Sequence, residues 1–298
     1  MIGRLFTCLI LVGCSHMAPQ VSRYKEALPK DEASAYIIPK VPYFQQEQYH
    51  CGPATMAMIL NHYGQSKDPS DLVELMYTKK VRGTFQQDMI SAARRSGMMA
   101  IPIYNFKNLV KEIKHQHPVI AFMNLGFDWY PMWHYALVYG FDFEDEVMVM
   151  HSGLEKSKRW DMIRFERSWK RGDYWGLVVF PPHQTAATAS EHEHIRSAAA
   201  LEASGHLEAS QVAYHAIKRK WPKSYKAFMG LGNLAFVAGN YDEAKRHFQK
   251  ALGLKRDFFF AWNNLALTLM KLDRHKEAKE AMLQAAKFAP KKYHEKVN

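Results

Sequence analysis

Within this chain of 298 residues, one thiol stands where a thiol can act as a nucleophile. Cys51 opens the run Cys51-Gly52-Pro53-Ala54-Thr55-Met56-Ala57-Met58-Ile59-Leu60. Its proline in the first turn and the apolar residues that follow predict a helix, which Gly64 ends. The unpaired amides of a helix start favour a thiolate, so the position predicts a lowered pKa for Cys51. Such a thiolate works when an imidazole trades its proton and amide donors hold the oxyanion that forms. The chain has 15 histidines to supply the imidazole. No HExxH, CxxC or glycine-rich phosphate loop occurs, which predicts no metal and no nucleotide cofactor. The His192/His194 pair has ligand spacing only on a strand; in the helix or linker expected there it reads as solvated.

The other two cysteines belong to a different story. Residues 1–13 carry Arg4 and then an apolar stretch from Leu5 to Val12, too short for the roughly 20 residues that cross a bilayer. A charged start and a short apolar core read as a signal peptide. Leu11-Val12-Gly13-Cys14 resembles a bacterial lipobox, which implies cleavage before an acylated Cys14 and loss of Cys8. Cys51 is then the last thiol, with no partner for a disulfide and no thiolate cluster for zinc. The expected location is the cell envelope of a bacterium, lipid-anchored; Ser15 after the acylated cysteine points to the periplasmic face of the outer membrane. Export disfavours a nucleic-acid partner despite the net charge of +11. Residues 1–180 hold 21 Lys and Arg against 18 Asp and Glu, and residues 181–298 hold 19 against 11, so the excess is concentrated late in the chain.

Elements must hold Cys51 and its partners in place. Residues 14–38 are polar and mixed and read as the lipidated tether. From 39 to 182, Ile101–Tyr104, Pro118–Met123, Tyr135–Tyr139, Val147–Met150 and Trp175–Phe180 read as strands. Asp68-Pro69 with Asp71 marks a capped helix start, and Thr84 with Gln87 a capping box before a helix that Gly97 ends. Helices come mainly first and consecutive strands later, which predicts an α+β domain rather than a doubly wound sheet. Residues 183–190 are small and polar and read as a linker.

Residues 191–298 show no strand pattern but do show a repeat. Leu231, Gly232, Gly239, Ala244, Phe248 and Ala251 recur 34 positions later as Leu265, Ala266, Asp273, Ala278, Met282 and Ala285. This pattern resembles the tetratricopeptide repeat. Small residues at Gly232 and Ala244 let paired helices approach, while Phe248 and Met282 are expected to fill the space between hairpins. Another step back, Gly205, Ser210, Tyr214 and Ile217 mark a degenerate first copy. The array is expected to present or recruit a protein partner.

Around Cys51 the residues also resemble a family. Val41-Pro42-Tyr43-Phe44-Gln45-Gln46, then Cys51-Gly52-Pro53-Ala54, then His134-Tyr135-Ala136-Leu137-Val138-Tyr139-Gly140-Phe141-Asp142 are similar to the C39 cysteine peptidases, relatives of the papain fold. The resemblance covers about residues 39–182 and implies a papain-like domain. It implies Cys51 as nucleophile, His134 as general base and then acid, and Gln45 or Gln46 as the oxyanion donor. The family's third catalytic position holds Asp or Asn, whereas the matching stretch here reads Val149-Met150-His151-Ser152-Gly153. His151 or Ser152 is left to orient the His134 ring. Phe127, Trp129, Tyr130 and Trp133 crowd the loop before His134 and are expected to line the cleft for a peptide or protein substrate. These readings converge on a membrane-anchored, exported cysteine peptidase acting through a thioester. The alternatives are a degenerate peptidase fold that binds peptide, and another acyl-transfer enzyme using the same thioester.

Overall fold

Long runs of β-branched and aromatic residues in the middle of the chain predict strands buried on both faces. The computed structural model, which describes residues 18–29, 33–46 and 49–290, assembles them into one seven-stranded antiparallel sheet. Its strands are β1 (Ala35–Ile37), β2 (Met99–Ile103), β3 (Val119–Asn124), β4 (Trp133–Asp142), β5 (Val147–Ser152), β6 (Glu155–Asp161) and β7 (Gly176–Phe180). The order is β2-β7-β3-β4-β5-β6, with β1 joining the far half of the β4 edge that β3 pairs first. The ten residues of β4 therefore make the sheet's central spine, buried from His134 to Phe141. The five strands read from sequence are all present. β6 was missed because Glu155-Lys156-Ser157-Lys158-Arg159 is polar and lies on an exposed edge.

Two groups of helices pack on this sheet. The first holds α2 (Cys51–His62), α3 (Pro69–Met76) and α4 (Gln86–Arg95), which meet one another and lie on β4 and β2. Asp68 caps α3 as expected: its carboxylate accepts from Ser70 N at 2.9 Å, while Asp71 accepts from Asp68 N at 3.0 Å. The α4 start differs by one residue from the Thr84/Gln87 reading, since the Asp88 carboxylate reaches back to the Phe85 amide at 3.3 Å. The second group is α1 (Pro19–Glu26), α5 (Phe106–Lys114) and α6 (Met162–Lys170). Residues 18–29 and 35–37 thus correct the reading of 14–38 as a polar tether. The buried Glu166 carboxylate accepts from Gln20 N at 3.0 Å and Val21 N at 2.8 Å, satisfying orphan amides at the start of α1. Met1–Met17, with the signal segment and Cys14, lie outside the described residues.

Six further helices form three antiparallel hairpins: α7 (Glu191–Ala203) with α8 (Leu207–Lys220), α9 (Tyr225–Val237) with α10 (Tyr241–Leu254), and α11 (Phe259–Lys271) with α12 (His275–Phe288). A Cβ added to Gly232 would lie 2.5 Å from the buried Phe248 ring, so only glycine lets α9 and α10 close on that side chain. Met282 departs from its expected filling role. It is 45 % exposed, because among the described residues no hairpin follows α12 to cover it.

The segment 183–190 is not a loose linker. Glu112, fully buried in α5, accepts from Ala187 N at 3.0 Å, Thr188 N at 2.7 Å and Thr188 Oγ1 at 2.6 Å. His117 Nδ1 lies 2.7 Å from the same carboxylate. Beyond this clasp, α7 runs along β2, where Ser197 Oγ accepts from Ala100 N at 3.1 Å. His194 is buried between Phe180 and Trp221 rather than solvated. One continuous apolar core runs from the sheet through Leu201, Tyr214, Ile217 and Leu231, so the sheet domain packs directly on the first hairpin and α9, while a separate core fills the hairpins beyond.

Desolvation pushes the Glu112 carboxyl up, but the hydrogen bonds from His117, Thr188 and Ala187 win and hold it below its ordinary 4.5. A folded-state pKa held below the unfolded one adds stability that is full above the unfolded pKa and lost as pH falls through the folded value. Glu112→Gln is expected to cost about 3–5 kcal/mol near neutrality, as for a broken buried charge network. Denaturant unfolding of wild type and variant should show the gap closing on acidification below about pH 4.5; a gap independent of pH would remove the carboxylate from this role.

Candidate active site

Cys51 is the first residue of α2, and the N-terminal end of that helix is pressed against β4. The backbone of Tyr135 and of Gly52 lies close enough to the thiol to favour its anion. Thr55, one turn on, ties the helix down: its Oγ1 lies 2.6 Å from Cys51 O and 3.5 Å from Tyr135 O. Tyr135 OH in turn donates to Thr84 O at 3.1 Å. Gly52 follows Cys51 because no other residue fits. A Cβ there would sit 2.5 Å from Thr84 Oγ1 and 2.7 Å from Thr84 Cβ, so the loop before α4 closes directly over the helix start.

Tyr135 follows His134 on β4, so the strand against which the start of α2 packs also carries the imidazole. His134 is 8 % exposed, and its Nε2 lies 3.0 Å from Ser152 Oγ at the end of β5. That leaves Nδ1 as the ring nitrogen for proton exchange. Of the two candidates for the orienting position, the structure brings Ser152 to the ring and takes His151 away. Ser157 N donates to His151 Nδ1 at 3.0 Å, so Nε2 carries the proton and donates to Val41 O at 3.2 Å. Both nitrogens of His151 are therefore committed to holding β5, β6 and the segment before α2 together.

Electrostatics here reverse one expectation. Burial pushes the Cys51 thiol above its ordinary 9.0, against the pull of the Tyr135 and Gly52 amides. The helix start is present as read, but covering it with β4 and Thr84 costs the anion more solvation than those amides return. Burial likewise brings His134 down to about 4, with Lys158 of β6 adding to the effect. A neutral serine cannot offset this as a carboxylate would. The resting pair is thiol and neutral imidazole. Lys158 had no signal in the sequence, since β6 itself was not visible there.

The two glutamines part ways. Gln45 is exposed, whereas Gln46 is half-buried, with its side-chain amide over Gly153, the residue after Ser152. Tyr43, on the same segment, donates to Gly153 O at 3.3 Å and packs on His151. The arrangement places Gln46 along the wall that carries Ser152.

The aromatic loop is a rigid projection. Residues 125–132 join β3 to β4, and Asn124 organises them: its Oδ1 accepts from Gly126 N and Met132 N at 2.9 and 2.8 Å, and its Nδ2 donates to Phe127 O at 3.3 Å. The Arg171 guanidinium clamps Asn124 O from α6. Phe127 and Trp129 stack at 5.6 Å, and Trp133 stacks on Phe122 at 5.0 Å. Trp129 is 81 % exposed, and Phe127, Tyr130 and Trp133 are also open. They do not serve to pack the loop down, and the hydrogen bonds of Asn124 hold it instead. Asn124 was not singled out from sequence. Among the described residues no group of three His, Cys, Asp or Glu side chains is arranged to hold a metal, and no described helix is long and apolar enough to cross a membrane.

Comparison with known proteins agrees with this architecture. Residues 38–174 match the Peptidase_C39 like family, and residues 225–258 and 261–292 each match a tetratricopeptide repeat. The chain carries a C39-peptidase-like domain followed by two tetratricopeptide repeats. No curated protein matches. Among solved structures, the peptidase domain of Streptococcus ComA, a bi-functional ABC transporter involved in quorum sensing, is 25 % identical, covering 47 % of this chain and 96 % of its own, with a TM-score of 0.40. A putative C39-like peptidase from Bacillus anthracis is 17 % identical, covering 49 % and 98 %, with a TM-score of 0.43. A double glycine motif protease from an AMS/PCAT transporter, solved with its leader peptide, is 20 % identical, covering 49 % and 94 %, with a TM-score of 0.37.

Replacing Ser152 with aspartate puts an anion on His134 Nε2 and is expected to raise the imidazole pKa from about 4, read by histidine NMR titration. An unmoved titration would show that Ser152 does not touch the ring in solution. In a Cys8→Ser/Cys14→Ser background, iodoacetamide alkylation of Cys51 should still be accelerating at pH 9, because the thiol lies above 9.0. A plateau below pH 7 would instead mean that the helix start prevails over burial.

Proposed function

We propose that the chain is a membrane-anchored, exported cysteine peptidase in which Cys51 attacks a peptide carbonyl and His134 carries the proton. The observation that supports this best is the crossing of α2 over β4. It sets a thiol at a helix start against the strand that carries His134, whose Nε2 lies 3.0 Å from Ser152 Oγ. His134 Nδ1 takes the Sγ proton as the Cys51–carbonyl bond forms, and Nε2–H donates to Ser152 Oγ as positive charge develops on the ring. The Gln46 amide and the Cys51 backbone N–H stabilise the oxyanion. Collapse of the tetrahedral adduct breaks the C–N bond, and the imidazolium gives its proton to the departing amine. Water, deprotonated by His134, then cleaves the thioester and restores the thiol.

The neutral resting pair makes His134 a true base rather than half of a preformed ion pair. It is competent above about pH 4, where the ring is deprotonated. Trp129, Tyr130 and Trp133 offer large, rigid, exposed contact area beside it, suited to an extended peptide. The repeats recruit the protein that supplies that peptide, and the acylated Cys14 holds the assembly at the periplasmic face of the outer membrane.

One feature favours the second reading, a peptide-binding relic. A serine where an anion is expected leaves the imidazolium less stabilised, and the thiol is buried as a thiol. Products decide between them, and an added amine acceptor separates hydrolysis from acyl transfer. Cleavage of a peptide library by the purified chain should vanish in Cys51→Ala and fall about 10²–10³-fold in Gln46→Ala, the typical loss of one oxyanion donor. Gln45→Ala should stay within about threefold, as for an exposed side chain outside the site. Cleavage that survives Cys51→Ala would end the thioester mechanism; no cleavage and unchanged peptide affinity in Cys51→Ala would establish the binding module.

A further inference from the structure

We propose that the cavity between α1 and α5 binds the phosphate of an anionic membrane lipid. This inference rests on the anchoring part of the function proposed above, not on the peptidase chemistry. The cavity encloses about 710 Å³ and is lined by Arg23 and Leu28 at one wall and by Lys107, Lys111, Lys114 and His115 at the other. No carboxylate lines it among the described residues.

Lys111 and Lys114 sit in the last turn of α5, where the helix dipole favours cations, but the rest of the charge is not what helix stability would select. Lys107, Lys111 and Lys114 recur at helical spacing on one face of α5, where like charges destabilise a helix. Lys107 also occupies the first turn, the end at which the helix dipole disfavours a cation. Among the described residues Arg23, Lys107 and Lys111 have no ion-pair partner, although an acidic turn lies against α1. The carboxylates of that turn are largely engaged elsewhere: Glu146 with Lys25, and Asp142 and Asp145 with Arg159. Arg23, Lys107 and Lys111 thus border a space in which, among the described residues, no carboxylate answers them.

Position selects the anion. Cys14 precedes Pro19 of α1 by five residues, about 17 Å of extended chain. Acyl chains on Cys14 would therefore bring the cavity to the level of the lipid headgroups. A phosphodiester entering it would neutralise Arg23 and Lys111 together, while the exposed side of Leu28 would meet the acyl boundary. The buried Glu166 cap that fixes α1 to the sheet would turn lipid contact into a set orientation of the whole body.

The test uses the full chain with Cys14→Ser, hence without acyl groups, floated with vesicles of phosphatidylcholine alone or with added phosphatidylglycerol. Binding is expected only to the second kind, and it should weaken as salt rises. Lys107→Gln/Lys111→Gln should weaken it about 25-fold, from the usual contribution of two surface cations. Lys276→Gln/Lys279→Gln, on the exposed face of α12, should leave it unchanged. Equal binding to both vesicles, equal loss in both double variants, or equally tight binding of free glycerol phosphate would overturn the assignment. Intact mass of the membrane-extracted native chain separates the two ideas. An unacylated Cys14 with anionic-vesicle binding retained would fail only the anchor, whereas an acylated Cys14 with no such binding would fail only this site.

Discussion

Everything at the candidate site depends on a helix start held against the middle of a strand. Gly52 has no side chain, Thr84 fills the space that one would need, and Thr55 fastens the first turn of α2 towards Tyr135 O. This contact sets Cys51 against the strand that carries His134, 83 positions later in the chain. It also sets the electrostatics. Closing strand and loop over the helix start removes the water that would solvate a thiolate, so a place against the strand and ease of ionisation trade against each other. The result is a neutral pair, and a hydroxyl rather than a carboxylate behind the imidazole suits that neutrality.

Two buried carboxylates fix what surrounds the site. Glu166 accepts the first amides of α1, and Glu112 accepts two amides and a hydroxyl from the stretch before α7. Each satisfies donors that burial would otherwise leave unpaired, and each holds a flanking segment onto the sheet domain. Their effect is to fasten α1 and the stretch before α7, where a tether and a linker were expected.

The sequence was informative where local rules suffice. The Asp68 cap, the strands of the sheet interior and the 34-residue repeat follow from side-chain type and period alone. Cys51 could be placed at a helix start for the same reason. What escaped was set by distant partners. β1 and β6 are short or polar and exist because β4 and β5 offer them an edge. The stretch 183–190 looks like a linker until Glu112, some 75 residues earlier in the chain, is seen to grip it. The choice between His151 and Ser152 was open by spacing, and it turns on Val41 O and Ser157 N, which belong to other elements. The Cys51 pKa failed likewise: the helix supplied the pull that was read, and Thr84 and β4 supplied the larger push.

The core that runs from the sheet into α7, α8 and α9 has a consequence for how the molecule can bend. Swinging the first hairpin away from β2 would return apolar side chains on both sides to water. Relative motion therefore costs least farther along, where α9 passes from this core into the separate one that fills α10 to α12.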